Sequence, residues 1–329
     1  MARHPWVDVH AHPGRCFLAG LTSDDALAAA LGGEQCATAF AAMREAGMAA
    51  VSFATVADLL VISVGDDGGL RAGRAFAEGE AYADHLRQLD AIRAVAERHD
   101  MDIARTAADI SRAHAEGTTV LFLTCEGADF VEDRLERLGE AHRAGVRSVT
   151  LVHYRVNEFG DIQTEAPVHG GLTEAGTGVV AEMNRLGLLI DLAHATYETT
   201  MGILRVSEAP VMISHSHLNG PGCDNARLLT HDHARAIASD GGLIGAWPAG
   251  VWCRTFEDFL TEIVRLVDAV GVEHVAIGTD MDANHQPVVT GYDQFAALED
   301  GLHRRGFLQP EVDRILGGNA IDLIATVCG

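Results

Sequence analysis

The chain has 329 residues, 48% of them hydrophobic, and carries 24 basic against 47 acidic residues for a net charge of −23. That apolar content is too high for a disordered chain and suits one large folded domain, while the acidity repels phosphate backbones and sets nucleic acid aside as a partner. All 24 basic residues are arginine, so a lysine Schiff base, a Walker A lysine and a carbamylated bridging lysine are excluded.

The opening "MARHPWVDVHAH" lacks the apolar centre of a signal peptide. Its "WVDVHAH" (6–12) reads as a strand ending in His10 and His12, and residues 14–35 read as a loop. The strand "MAAVSFATV" (48–56) follows, then a helical region over about 72–99. "TTVLFLTCEG" (118–127) is a strand that ends in Glu126, and "RSVTLVHY" (147–154) one that ends near His153. Residues 158–172 read as a second loop. "AGTGVVAEMNRLG" places Val179, Val180, Met183 and Leu186 at helical spacing, with Gly187 as the C-cap. "GLLIDLAHA" (187–195) brings His194, "APVMISHSH" (209–217) brings His215 and His217, and "GGLIGAW" (241–247) is a further strand. "FEDFLTEIVRLVDAV" (256–270) is strongly amphipathic, and "HVAIGTDMD" (274–282) ends in Asp280 and Asp282. No apolar run is long enough to span a membrane. The six cysteines show no CxxC spacing, so a thiolate zinc site is not expected and reduced, buried thiols in a cytoplasmic protein are.

Near-continuous apolar strands alternating with helices predict either a (β/α)8 TIM barrel or a doubly wound open sheet. The polar residues decide for the barrel. Nearly every predicted strand ends in an imidazole or a carboxylate, and only a barrel brings all those ends to one mouth. A single domain over 1–329 is therefore expected. A lone strand-end histidine is an ordinary hydrogen-bonded residue. So many together impose a desolvation cost that a bound cation offsets. Imidazole and carboxylate ligands without thiolate suit Zn²⁺ foremost, with Mn²⁺, Fe²⁺ and Co²⁺ as other candidates. Two metals need a bridging ligand, and with no lysine available Glu126 is the best-placed carboxylate. Its plainer alternative is an acid at the start of the helical run "EGADF".

The ordered strings "TCEGADF", "LVHYRVNEFGD", "GGLTEAGTGVVAEMNRLGLLIDLAHAT", "VMISHSH", "ARLLTHDHARAIASDGGLIGA", "VAIGTDMDA" and "ILGGNA" resemble the renal (membrane) dipeptidase family of zinc metallopeptidases over nearly the whole chain. The resemblance implies an amidohydrolase-like TIM barrel with a binuclear zinc site that cleaves dipeptides. It implies His10, Glu126 and Asp280 on one metal with His12 alongside, and Glu126 bridging to a second metal held by His194 and His215. By the same likeness His153 polarises the scissile carbonyl and Arg227 binds the substrate's C-terminal carboxylate. Chemistry agrees with these roles. A hydroxide between two metals is nucleophilic at neutral pH, and Asp280 can take its proton and pass it to the leaving amine. His153 can stabilise the oxyanion, and the arginine fork suits a carboxylate.

Three positions depart from the family pattern. The usual HxD of the first strand is "HAH" here, the usual RN is Arg227-Leu228, and an arginine common after the "GGN" segment is Asp322. The leading expectation is a metallo-dipeptidase acting on a small dipeptide-like substrate. The alternatives are an amidohydrolase acting on N-acyl amino acids, lactones or cyclic amides, and a catalytically silent metabolite-binding barrel. No nucleic-acid or membrane partner is expected, and pairing as a homodimer stays open. His217, His231 and His233 read as surface or supporting residues, and Asp282 as lying behind Asp280 rather than ligating.

Overall fold

The computed structural model describes residues 4–21, 32–65, 69–220 and 225–329. Eight parallel strands close on themselves: β1 (Val7–Asp8), β2 (Ala50–Val56), β6 (Val120–Glu126), β7 (Ser148–Thr150), β8 (Leu189–Asp191), β9 (Met212–Ser216), β10 (Leu243–Ala246) and β11 (Val275–Ile277). The ring closes where β1 pairs with β11, Asp8 opposite Ile277, and β2 bypasses the intervening strands to pair with β6 from Ala50↔Val120 to Val56↔Glu126. This is the (β/α)8 TIM barrel expected from the alternating pattern, and each of the eight predicted strands is one of its staves.

Three short strands lie outside that pattern. Strands β3 (Ile62–Val64) and β4 (Leu70–Ala72) form an antiparallel hairpin after β2, and β5 (Asp102–Ala104) adds to the start of β6. The helix expected over 72–99 begins only at Glu80 and runs to Arg98; Ala72 closes the hairpin and residues 73–79 are not helical. The amphipathic helix Phe256–Val270 forms as written in the sequence. Thr255 accepts from the Asp258 amide while Asp258 reaches back to the Thr255 amide, so both ends of a capping box are made. Helix Glu174–Leu186 ends at Gly187 with φ 67°, the left-handed C-cap its sequence predicts.

The two ends of the barrel are built differently. At the N-terminal end of the strands, Val7, Val120, Leu189, Met212 and Leu243 pack on Leu323 and Ile324 of the C-terminal helix Asn319–Cys328, which closes the barrel from below. Inside, strands approach very closely: a Cβ at Gly245 or Gly278 would lie within 1.9 Å of the Ser214 carbonyl oxygen. Only glycine permits β10 and β11 to sit that near the residue preceding His215.

The cysteines correct one expectation. Cys16 and Cys36 are joined as a disulfide rather than held as free thiols, with their Cα atoms 5.5 Å apart. The cause is local. Gln35 N–H donates to the Gly14 carbonyl at 2.6 Å, which draws the two ends of the first loop together and brings the sulfurs within reach. Cys125 and Cys253 are buried and form no disulfide, Cys328 is half-buried and forms none either, and Cys223 lies outside the described residues.

Candidate active site

The C-terminal ends of the strands deliver their polar residues to one buried cluster centred on Glu126, the last residue of β6. Its Oε1 lies 2.9 Å from His194 Nε2, 3.4 Å from His10 Nε2 and 3.6 Å from His215 Nε2. Its Oε2 lies 3.1 Å from His12 Nε2 and 3.4 Å from His153 Nε2. Asp280 joins from beyond β11, with Oδ1 3.4 Å from His12 Nε2 and 3.9 Å from His10 Nε2. All seven expected residues, with Arg227, therefore converge. Three sets of ligand atoms lie close enough to share an ion: His10 with His12 and Asp280, His10 with Glu126 and His215, and Glu126 with His153 and His194.

The tautomers bear on what the cluster can hold. His12 Nδ1 lies 3.2 Å from the Ala54 carbonyl, which can only accept, so Nδ1 carries the proton. In the neutral ring Nε2 then points a lone pair at the oxygens of Glu126 and Asp280. Lone pairs facing lone pairs call for a cation or a proton between them. His10 Nε2 is likewise buried without a hydrogen-bond partner. At His215 the Ser214 hydroxyl sits 2.9 Å from Nδ1 and, by accepting its proton, leaves Nε2 free to ligate. The donor set thus fits divalent metal ions bound by nitrogen and oxygen.

Electrostatics divides the imidazoles. Burial pushes His10 and His153 down, but neighbouring carboxylates outweigh it: Glu126 and Asp280 raise His10 to about 9, and Asp58 with Glu126 raises His153 to about 9. Burial opposes ionisation of Glu126 too, yet His153 and His10 hold it well below the usual carboxylate range. His194 and His215 go the other way. Burial and then nearby cations, Arg227 among them, hold both well below the ordinary histidine value, in the neutral form that binds metal.

Arg227 reaches both His194 and His215. Its Nη2 lies 2.8 Å from His215 Nε2 and 3.3 Å from His194 Nε2, where a metal would take the same lone pairs. Its Nη1 donates to Gln163 Oε1 at 3.2 Å, and the guanidinium lies 5.1 Å from the centre of the Trp247 ring.

Several supporting residues escaped the reading of the sequence. Asp58 lies two residues past β2. Its Oδ1 receives the His153 Nδ1 proton at 2.6 Å and its Oδ2 the Tyr154 amide at 2.9 Å, which aims His153 Nε2 into the cluster. Trp247 Nε1–H donates to Asp280 Oδ2 at 3.2 Å. Beneath them, Asp8 accepts from the Thr279 amide and hydroxyl and so fixes the residue before Asp280. Asp58 also follows a strand end, so the rule that found the histidines would have found it; Trp247 follows one too but carries neither an imidazole nor a carboxylate. Asp282 is in none of these candidate ligand sets; its Oδ2 accepts from the Gly14 amide at 2.7 Å. His231 is exposed, His233 bonds Thr200 Oγ1 at 2.9 Å, and His217 is buried against Trp247.

Above the cluster opens a cavity of about 170 Å³, continuous with solvent. It is lined by the polar cluster with Tyr154 and Trp247 and by a set of apolar side chains.

Comparison with known proteins agrees with this geometry. A profile of the membrane dipeptidase family, peptidase family M19, matches residues 3–327. The dipeptidase verJ of Clonostachys rogersoniana is 28% identical over 261 residues, covering 76% of this chain and 67% of that protein. The dipeptidase aclJ of Aspergillus oryzae is 29% identical over 263 residues, covering 75% of this chain and 62% of its own length. The match thus spans under two thirds of the second relative. Among solved structures, a metallopeptidase from Rhodobacter sphaeroides, liganded with a phosphinate mimic of the dipeptide L-Ala-D-Ala, superposes with a TM-score of 0.83 at 24% identity over 99% of both chains. At that identity the likeness concerns the fold.

Proposed function

The chain belongs to the membrane dipeptidase family, and from that premise we propose that it is a metal-dependent hydrolase of the amide bond in dipeptide-like substrates. The observation that carries this reading is the meeting of one buried carboxylate, Glu126, with five imidazoles and Asp280 at the barrel mouth. Two divalent ions, zinc foremost, are the expected complement. His10, His12 and Asp280 would hold one, His194 and His215 the other, and Glu126 would serve both. When bound, such ions supply Lewis acidity to the amide carbonyl and make water acidic enough to react near neutral pH.

The side chains divide the remaining work. Asp280, steadied by Trp247 at Oδ2, receives a proton and hands it to the departing nitrogen. His153 is kept protonated by Asp58 and Glu126 and turns Nε2–H toward the oxygen on which negative charge develops. Arg227 offers its planar fork to the substrate's carboxylate. Asp58 is a positioning residue that acts through His153.

The test uses the full chain stripped of metal and reloaded with zinc. Elemental analysis should find two ions per chain, and a panel of L,L and L,D dipeptides should be hydrolysed only by the loaded protein. Zinc-free protein hydrolysing the panel equally well would overturn the proposal.

A further inference from the structure

The cavity has two unlike linings. Beside the metal-ligating cluster stand Phe17, Val56, Leu59, Ile62, Val64 and Leu70, drawn from the first loop, the end of β2, the turn after it and the β3–β4 hairpin; Phe17 meets His12 edge-on with ring centres 5.2 Å apart. Phe17, Val56 and Leu59 belong to a small apolar cluster of their own, against which Ile62 packs. Val64, at the mouth, is 57% exposed.

The same cavity offers little to a cationic group. Among the described residues, the carboxylates lining it are Glu126 and Asp280, and both face imidazoles. Nearby Asp58 is engaged by His153 and Tyr154, and Asp282 by the Gly14 amide. His12 directs Nδ1–H to Ala54 and Nε2 to the carboxylates, so it offers no acceptor to an ammonium. A free α-ammonium placed against the apolar lining would lose its hydration without a partner. An acyl chain would gain by the same burial.

We infer that this apolar lining is an acyl-chain subsite and that the preferred substrates are amino acids N-acylated with a medium-length apolar chain, not dipeptides with a free amine. The inference rests on the amide-hydrolase reading above and names its substrate class. The amide nitrogen and acyl carbon lie over the cluster, the amino acid's carboxylate goes to Arg227, and the chain runs under the hairpin. The reaction balances with one water. The C–N bond breaks, water's oxygen stays on the acyl carboxylate, and both of its hydrogens end on the nitrogen, which leaves as an ammonium.

The experiment compares kcat/KM of the zinc-loaded full chain for a free dipeptide with that for N-acetyl, N-hexanoyl and N-octanoyl derivatives of the same C-terminal residue. Each methylene taken wholly out of water is worth up to about fourfold. The rate constant should therefore rise at least about tenfold from acetyl to hexanoyl, with octanoyl above the free dipeptide. Replacing the hairpin pair, Ile62→Ser with Leu70→Ser, should cut the octanoyl-to-acetyl ratio by about tenfold. His12→Asp should shift preference toward the free dipeptide. A wild-type protein that prefers the free dipeptide, or an octanoyl-to-acetyl ratio untouched by the hairpin variant, overturns the inference while leaving amide hydrolysis standing. Hydrolysis of neither substrate class by the loaded protein overturns the underlying reading, and this inference with it.

Discussion

The two ends of the barrel share the same eight strands and differ in almost everything else. Below, strand starts such as Val7, Leu189 and Leu243 meet Leu323 and Ile324 in a dry apolar layer under the C-terminal helix. Above, strand ends carry buried imidazoles and carboxylates whose ring nitrogens are in part left without partners. A packed apolar layer satisfies itself. A buried layer of lone pairs is complete only with something added to it. The lower end therefore holds the barrel closed, and the upper end is poised to bind.

Substitutions at each end should separate these roles. The largest effect falls on the upper end. Loss of one supporting hydrogen bond around a metal costs 10–100-fold, so Glu126→Gln, which alters a ligand shared by both positions, should lower kcat/KM by more than about 10³-fold. Elemental analysis should show fewer than two ions, while circular dichroism keeps the wild-type spectrum. Two full equivalents of metal with normal turnover would remove the bridging role.

Leu323→Ala attacks the lower end. It should cost about 2–5 kcal/mol in denaturant unfolding through the cavity it leaves, with metal content unchanged. A parallel loss of metal would mean that the two ends are coupled.

Arg227→Ala tests a residue that faces both metal and substrate. Loss of a charge-assisted hydrogen bond is worth about 1.5–3 kcal/mol, or roughly 10- to 150-fold in kcat/KM for a substrate with a free carboxylate. The corresponding amide should be a poor substrate for the wild type and scarcely worse for the variant. The guanidinium also lies on the lone pairs of His194 and His215, so the variant should take up its second zinc equivalent more tightly in an equilibrium titration. Unchanged affinity would show that the arginine leaves those nitrogens without cost.

The smallest effect concerns His85, stacked on Phe130 in the protein interior with ring centres 3.9 Å apart. Burial, and then Arg93, pushes it down to about 3. The folded state therefore resists the proton that the unfolded chain accepts below about 6.5. Stability from this group is complete above that value and is lost as pH falls toward 3. Between pH 7 and pH 5 the loss is about 2 kcal/mol. His85→Phe should flatten that slope in unfolding experiments at the two pH values, and an unaltered slope would refute the assignment.

The same contrast explains what could be read from the sequence. The eight barrel strands are near-continuous apolar runs because both faces are covered, and their chemical residues follow at fixed positions. The hairpin β3–β4 and strand β5 have three residues in each strand and carry glycine, aspartate or arginine in or beside them, so no periodicity could develop. Asp58 stood at a strand end and could have been noticed. That its carboxylate meets an imidazole 95 positions away depends on barrel closure. The Cys16–Cys36 pairing likewise depends on a backbone contact between Gly14 and Gln35 that spacing alone does not reveal.

Two residues of the upper cluster, His194 and Asp280, have left-handed backbones, with φ of 68° and 55°. Side chains other than glycine occupy that region sparingly, and asparagine, aspartate and histidine do so most readily. The alphabet open to each position is thus filtered twice, once by the chemistry of a ligand and once by the turn of the chain. Randomising these two codons and selecting for folded, metal-loaded protein should return a short vocabulary of asparagine, aspartate and histidine, with valine, isoleucine and threonine missing. The geometry of two peptide units sets limits on which metal centres this barrel can evolve toward.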